Sequence, residues 1–220
     1  EMCIRDSHKS ALSAVITALK SHSCDIKTLN AAAHSVVHGS RKLTAPVRIT
    51  PEVRSEISNC TPLAALHNPH NLAASYALKH IAPKLPQFAS FDTSFHATNP
   101  DVATRYAIPR MMKTKGILRY GFHGLSYASL VTHLPKISSE KLPWRLLAFH
   151  LGNGASLCAI QSGQSVATII GYSPLDGLTM GTHSGGIDAN AALHLVKENG
   201  LESTKAILNH ESGLLGLSGG

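Results

Sequence analysis

Four stretches of this 220-residue chain bring carboxylate, imidazole, hydroxyl and glycine together at spacings that could do chemistry. The first is Phe91-Asp92-Thr93-Ser94-Phe95-His96, which follows an extended apolar run. A carboxylate where a strand ends in a crevice can act as a base or orient a charged substrate. The same residues also make an Asx-turn or a helix cap. The second is Arg119-Tyr120-Gly121-Phe122-His123-Gly124. Its glycines let backbone approach a ligand, and His123 sits where a helix begins and anions are favoured. An imidazole there can donate to a phosphoryl oxygen; a turn with a structural histidine reads the same way. The third is His150-Leu151-Gly152-Asn153-Gly154-Ala155-Ser156, a hairpin whose exposed amides suit phosphates. It is not a GxxxxGK[ST] loop, because no lysine follows the glycines, and an ordinary hairpin turn would look alike. The fourth, Gly181-Thr182-His183-Ser184-Gly185-Gly186-Ile187-Asp188, opens a helix and suits an anion at its start. A loop with Asp188 as N-cap is the alternative.

These stretches need elements to hold them. Apolar spacing predicts an amphipathic helix over His8–His22 and a buried strand over Ala31–His38. Thr50 before Pro51 marks the start of a helix running to about Cys60. Asn71–Ile81 reads as a helix stopped by Pro83, Gln87–Phe91 as a strand, and Gly124–Thr132 as a helix. Trp144–His150, Ala155–Ile160 and Gln164–Ile170 form a meander, the first two joined through Asn153-Gly154. Asp188–Glu198 and Leu201–Asn209 are the last helices, separated by Asn199-Gly200. The mixture argues for α/β architecture with mixed sheets. A composition shift at Ser138-Ser139-Glu140-Lys141 divides 8–140 from 141–220.

Composition removes whole classes of function. Hydrophobic residues at 43% are too many for a disordered chain. No apolar run approaches the roughly 20 residues of a spanning helix, so a membrane partner is not expected. Aromatics at 5% poorly supply a base-stacking surface. Twenty Lys and Arg against 13 Asp and Glu give +7, which favours an anionic partner. The basic residues are scattered, apart from Arg41-Lys42 and Lys113–Lys115, so nucleic acid is not the expected partner. His67 and His70 lack the companion ligands of a zinc site. Cys3, Cys24, Cys60 and Cys158 form no CxxC pair and read as free thiols of a reducing, cytoplasmic compartment. No signal peptide is evident. Residues 1–7 read as a non-native leader. Leu217-Ser218-Gly219-Gly220 shows no terminal helix, and the chain reads as a fragment.

Taken together, the motifs point to a family. Val36-Val37-His38-Gly39, Leu66-His67-Asn68-Pro69, the first three stretches above, Met180-Gly181-Thr182 and Glu211-Ser212-Gly213-Leu214-Leu215-Gly216-Leu217-Ser218 stand in the order and approximate spacing of acetate kinases. The resemblance runs from about Leu29 to the end. It implies the acetate/propionate/butyrate kinase group of the sugar kinase–Hsp70–actin superfamily: an α/β, actin-like (ribonuclease H-like) fold of duplicated domains, here truncated at both ends. On that division 8–140 is the remainder of the first domain, and 141–220 begins the second, nucleotide-binding one. It further implies ATP and Mg2+ as cofactors, a homodimer, and reversible phosphoryl transfer from ATP to acetate or another short-chain carboxylate, giving ADP and acetyl phosphate. By position, Asp92, His123 and His183 resemble catalytic residues. Ser35, Val37, Leu66, Phe122 and Pro174 resemble the carboxylate-binding pocket. His150, Leu151, Gly152, Asn153 and Gly154 resemble the nucleotide-phosphate segment. Asp92 is expected to orient groups or help hold magnesium, since a carboxylate substrate is already ionised. No metal ligand is assigned within the chain.

Two residues depart from the pattern. The family has Arg-Val-Val-His-Gly where this chain has Ser35, and Gly-Thr-Arg where it has His183. Serine cannot supply a bidentate cation, and histidine supplies a charge only when protonated. Two alternatives to an acetate kinase follow: a propionate or butyrate kinase, or a degenerate homologue that binds without catalysing. A histidine-based metal hydrolase is a weaker third. The chain is expected to fold poorly alone, because absent neighbouring strands would leave sheet edges unpaired.

Overall fold

The computed structural model describes residues 8–219, and its longer elements follow the order that the patterning predicts, with the expected antiparallel meander among them. The leader and Cys3 lie outside the described residues. The chain separates into two compact units, one up to Ser94 and one from Phe95.

In the first unit, helix α1 (His8–Ser21) is followed by strands β1 (Ala32–Val36) and β2 (Val47–Arg48), helices α2 (Pro51–Asn59) and α3 (Asn68–Ile81), and strand β3 (Gln87–Phe91). The sheet order is β1-β3-β2, with β1 parallel and β2 antiparallel to β3. A parallel pair needs a long crossover, and the segment carrying α2 and α3 provides it. Val36, Ile49, Ile57, Leu72, Ala89 and Phe91 form the core between sheet and helices. Leu12 and Ile16 of α1 pack on a second cluster of Ile26, Leu78, Ala82 and Leu85. Thr50 caps α2 by accepting from the Val53 amide at 3.3 Å, with Pro51 in the first turn.

Asn68 ties this unit together. Its Oδ1 accepts from the His38 amide, and its Nδ2 donates to the His38 and Ile57 carbonyls, all at 3.1 Å. The side chain is fully buried. Asn68→Ala leaves those groups unpartnered and is expected to lower stability by about 2–3 kcal/mol, read as a shifted urea midpoint at constant slope.

The second unit carries α4 (Asp101–Thr104), α5 (Arg110–Thr114), α6 (Gly124–Ser138), the meander β4 (Arg145–Leu151), β5 (Ala155–Gln161) and β6 (Gln164–Thr168), then α7 (Ala189–Asn199), α8 (Leu201–His210) and α9 (Gly213–Ser218). The meander is antiparallel with β5 central. Tyr127 of α6 packs with Ala148, Cys158 and Ile160.

Several expectations need correction. The helix expected from Asn71 begins at Asn68, because the buried Asn68 contacts and Pro69 order its first turn. The strand ending at Val36 is only half-buried, with Val36 its one buried residue. The helix at Gly124 continues past Thr132 to Ser138 with Pro135 inside it. Proline removes one donor there, and Ser139 ends the helix in the left-handed region. The C-terminal stretch does form a helix, α9. Its Leu214 and Leu215 amides donate to the Met180 and Gly181 carbonyls at 2.8 and 3.0 Å, contacts that no local pattern announces. β2, α4 and α5 are too short for periodicity to reveal. Cys24, Cys60 and Cys158 are free thiols. Among the described residues no helix is long and apolar enough to cross a membrane.

Candidate active site

In the first unit, the parallel pair β1 and β3 end together, with Val36 opposite Phe91. The chain then turns outward on both strands, and the Asp92 amide donates to the Val36 carbonyl at 3.0 Å. Asp92 is therefore held at the carboxyl end of a parallel pair, where α/β sheets open a crevice. Ser94 Oγ donates to the Phe91 carbonyl at 2.7 Å, and Thr93 Oγ1 accepts from the Gly39 amide at 3.1 Å, so the turn is built by Asp92's neighbours. Val37 lies beside it, its amide donating to Asn71 Oδ1 at 3.2 Å. Ser35 is exposed on β1. Leu66, 43% exposed, precedes α3. The unit thus gathers Ser35, Val37 and Asp92 around two strand ends, while Leu66 lies two residues before Asn68, which bonds His38.

The second unit gathers another group. His123 is the N-cap of α6, at φ 58° and ψ 21°. Its side chain makes no capping bond; instead Nδ1 lies 2.8 Å from Ser156 Oγ on β5. The His150 ring stacks on it, centroids 4.1 Å apart and planes 25° apart. His150 Nδ1 in turn meets Ser126 Oγ at 3.0 Å. A side chain at Gly154 would press on His123 Nε2 at 3.2 Å, so the glycine keeps that nitrogen's surroundings open. The Gly181 amide donates to the Asn153 carbonyl at 2.9 Å, which seats the loop carrying His183 on the same turn. His123, His150–Gly154 and the start of the 181–188 loop are thereby one cluster. Phe122 is buried, and Pro174 is half-buried in the segment after β6.

The hydroxyls of Tyr127 and Ser156 fix which His123 nitrogen donates. Tyr127 is buried, takes a bond from the His150 backbone amide, and shares a very short hydrogen bond with Ser156. Its own hydroxyl proton has to go to Ser156, whose proton then goes to His123 Nδ1. Burial, then the charges of His150 and His96, pull the His123 pKa down to about 4. At neutral pH the ring is neutral, with Nδ1 accepting and Nε2 carrying the donor proton. Sequence reading missed Tyr127 and Ser126 as parts of this site. The signal was present, since Tyr127 stands four residues beyond His123 on the same helical face.

The fourth stretch is arranged differently from the expectation of an anion at a helix start. Asp188 Oδ1 accepts from the Asn190 and Ala191 amides at 2.8 and 3.2 Å, so its own carboxylate fills the N-terminus of α7. His183 Nδ1 donates to the Asn209 carbonyl at 2.7 Å, in the last turn of α8.

Among the described residues no group of three or more His, Cys, Asp or Glu could hold a metal ion. Magnesium is commonly held by one or two carboxylates with substrate phosphates, and Asp92 is the carboxylate placed for such a share. The residues present do not build a magnesium site by themselves, and no step below passes through one.

An amide-rich glycine turn beside an imidazole donor is an arrangement whose chemistry suits an anion. The chain belongs to the acetokinase family, whose model matches residues 1–220. It is 47% identical over 195 residues to the acetate kinase of Deinococcus radiodurans, covering 87% of this chain and 49% of that protein. Among solved structures it is similar to a propionate kinase from Francisella tularensis (TM-score 0.90, 35% identity, 97% of this chain and 56% of that one). It is also similar to Porphyromonas gingivalis acetate kinase (TM-score 0.85, 36% identity, 97% and 55%). The chain spans about half the length of the relatives it matches.

Proposed function

We propose that the protein carrying this chain transfers the γ-phosphoryl group of ATP to acetate, reversibly, in the cytoplasm and as a homodimer. A carboxylate oxygen attacks the γ-phosphorus, the bond to the bridging oxygen breaks, and ADP departs with that electron pair. The acceptor is already an anion, so no base is required. The protein's work is alignment and neutralisation of charge on the equatorial oxygens. His123 Nε2–H donates to one of them, on the side where the Gly152–Gly154 turn and the α6 N-terminus favour negative charge. His150 and Leu151 through Gly154 hold the nucleotide phosphates. Asp92 orients the reacting groups and would contribute one carboxylate to a magnesium ion shared with the substrate phosphates, an ion that would neutralise phosphate charge. In the first unit Ser35, Val37 and Leu66 are the residues proposed to meet the carboxylate substrate, and in the second Phe122, Pro174 and His183 are those proposed to meet the substrate and the phosphoryl oxygens.

The observation that carries this reading is the Tyr127–Ser156–His123 relay, which holds a neutral imidazole donor-first against a glycine turn. The test is hydroxylamine trapping of acetyl phosphate made from ATP and acetate. The parent protein is expected to form product, and His123→Ala to lower kcat about 10²–10³-fold. A folded parent that forms no acyl phosphate from acetate, propionate or butyrate overturns the reading. Propionate is the second acceptor to assay, because a propionate kinase is among the similar structures.

A further inference from the structure

Against Gly121 and Phe122 lies a buried polar chain that the proposed transfer does not use. His96 is 3% exposed and Ser165 fully buried. His96 Nδ1 lies 2.8 Å from Ser165 Oγ, and its Nε2 lies 2.9 Å from the Phe122 carbonyl. Asn99 Oδ1 and Cys158 Sγ lie 2.7 and 3.3 Å from the same Ser165 oxygen.

A carbonyl only accepts, so His96 Nε2 carries a proton and donates it to Phe122. Burial pulls the His96 pKa down to about 4, so the ring is neutral and Nδ1 accepts. Ser165 must supply that proton. Ser165 Oγ is the near donor to Nδ1, with the Cys158 thiol farther off at 4.0 Å. With the Ser165 proton directed to His96, the Asn99 amide is the reverse of the Oδ1-facing placement, so that Nδ2 faces Ser165 Oγ at 2.7 Å. The Cys158 thiol, kept protonated by burial, is a second donor to Ser165. The chain then runs in one direction: Asn99 to Ser165, Ser165 to His96, His96 to the Phe122 carbonyl.

That carbonyl belongs to the residue before His123. Gly121 and His123 both sit at positive φ, 77° and 58°, and for His123 this conformation is unfavourable without outside support. The His96 ring lies against Gly121, where a Cβ would come 2.6 Å from its Cγ and Cδ2. It also meets the Tyr127 ring edge-on, centroids 5.8 Å apart. His96 therefore touches both the backbone that sets His123 and the tyrosine that orders its tautomer.

We propose that His96, oriented by Ser165 and Asn99, is a positioning residue that holds the Gly121–His123 backbone and so presents the His123 imidazole with Nε2–H outward. Its kinetic consequence rests on the phosphoryl-transfer reading above; its geometric content does not. Three variants separate the parts in the full-length protein. His96→Gln keeps a donor near Nε2. His96→Asn keeps only a group near Nδ1. Ser165→Ala removes the orienting hydroxyl at little cost in volume.

Expected kinetics are a fall in kcat of about 10²-fold for His96→Asn, from misplacement of the donor. KM for ATP should stay within about 2-fold, with most of the rate restored in His96→Gln and an intermediate loss in Ser165→Ala. Proton–nitrogen correlation spectra of histidine-labelled protein should show a single His123 tautomer in the parent and His96→Gln. His96→Asn and Ser165→Ala should show a mixture. A role limited to filling the core lowers the melting temperature of Gln and Asn variants alike and leaves the His123 signals unchanged; that outcome overturns the proposal. If the parent proves inactive, the functional reading fails, and the spectra still decide whether His96 positions His123. Should His96→Asn not fold, Ser165→Ala carries the same test.

Discussion

Ser35→Arg combined with His183→Arg is expected to raise the rate of acyl phosphate formation about 10³-fold or more, the scale on which an arginine acts at a transferring phosphoryl group. The reasons are geometric. His183 Nδ1 is committed to the Asn209 carbonyl, so the ring has one nitrogen left and no fork. A guanidinium offers five donors and a charge that persists at every accessible pH. Ser35 is exposed on β1, one residue before the Val36 carbonyl that anchors Asp92, so a long side chain there has room and the right neighbourhood. The comparison needs four proteins, parent, both single variants and the double, assayed by hydroxamate formation after a thermal melt confirms folding. The single variants are expected to fall between parent and double. If the double variant folds and is inert, the kinase reading loses its support. If only the double variant turns over while the parent binds ATP, the parent is a degenerate binder.

Acid should unfold this protein in a window its histidines define. His38, His96 and His123 are each pulled from 6.5 to about 4, in every case chiefly by burial. The unfolded chain takes up protons as pH drops below 6.5, and the native state resists until about 4. Protons therefore favour the unfolded state throughout that interval. The stabilisation is complete above pH 6.5 and is lost as pH falls toward 4. His38 and His96 each contribute up to about 1.4 kcal/mol per pH unit, and the half-buried His123 contributes less. A domain holds only about 5–15 kcal/mol in total, so the acid midpoint is expected inside the interval. Urea midpoints measured by far-ultraviolet circular dichroism from pH 7 to 4 read this directly. His96→Gln, which cannot titrate, should flatten the slope. A midpoint independent of pH across that range would rule the account out.

Much of the fold was legible from local chemistry. Thr50-Pro51 started α2, Gln87–Phe91 was bounded as a strand, and Asn153-Gly154 turned β4 into β5, because each signal acts within a few residues. The chain end was not legible. α9 exists because Gly213 takes φ 68° and passes close to the Met180 and His183 carbonyls, a contact between residues about thirty positions apart that no window of periodicity spans. Pro135 likewise concealed the last turn of α6.

For the site, the sequence by itself determined the residue types and their order: a carboxylate after a strand, a histidine between glycines, a glycine turn after another histidine. Those are properties of short segments, and short segments carry them. Only the tertiary structure decided that His123 is neutral, that Nε2 is its donor, and that Tyr127, Ser156 and His96 make it so. The state of an imidazole depends on how much water reaches it and on which hydroxyls and carbonyls face its two nitrogens. Those neighbours come from α6, β5 and the turn at His96, and they meet only when the chain has folded.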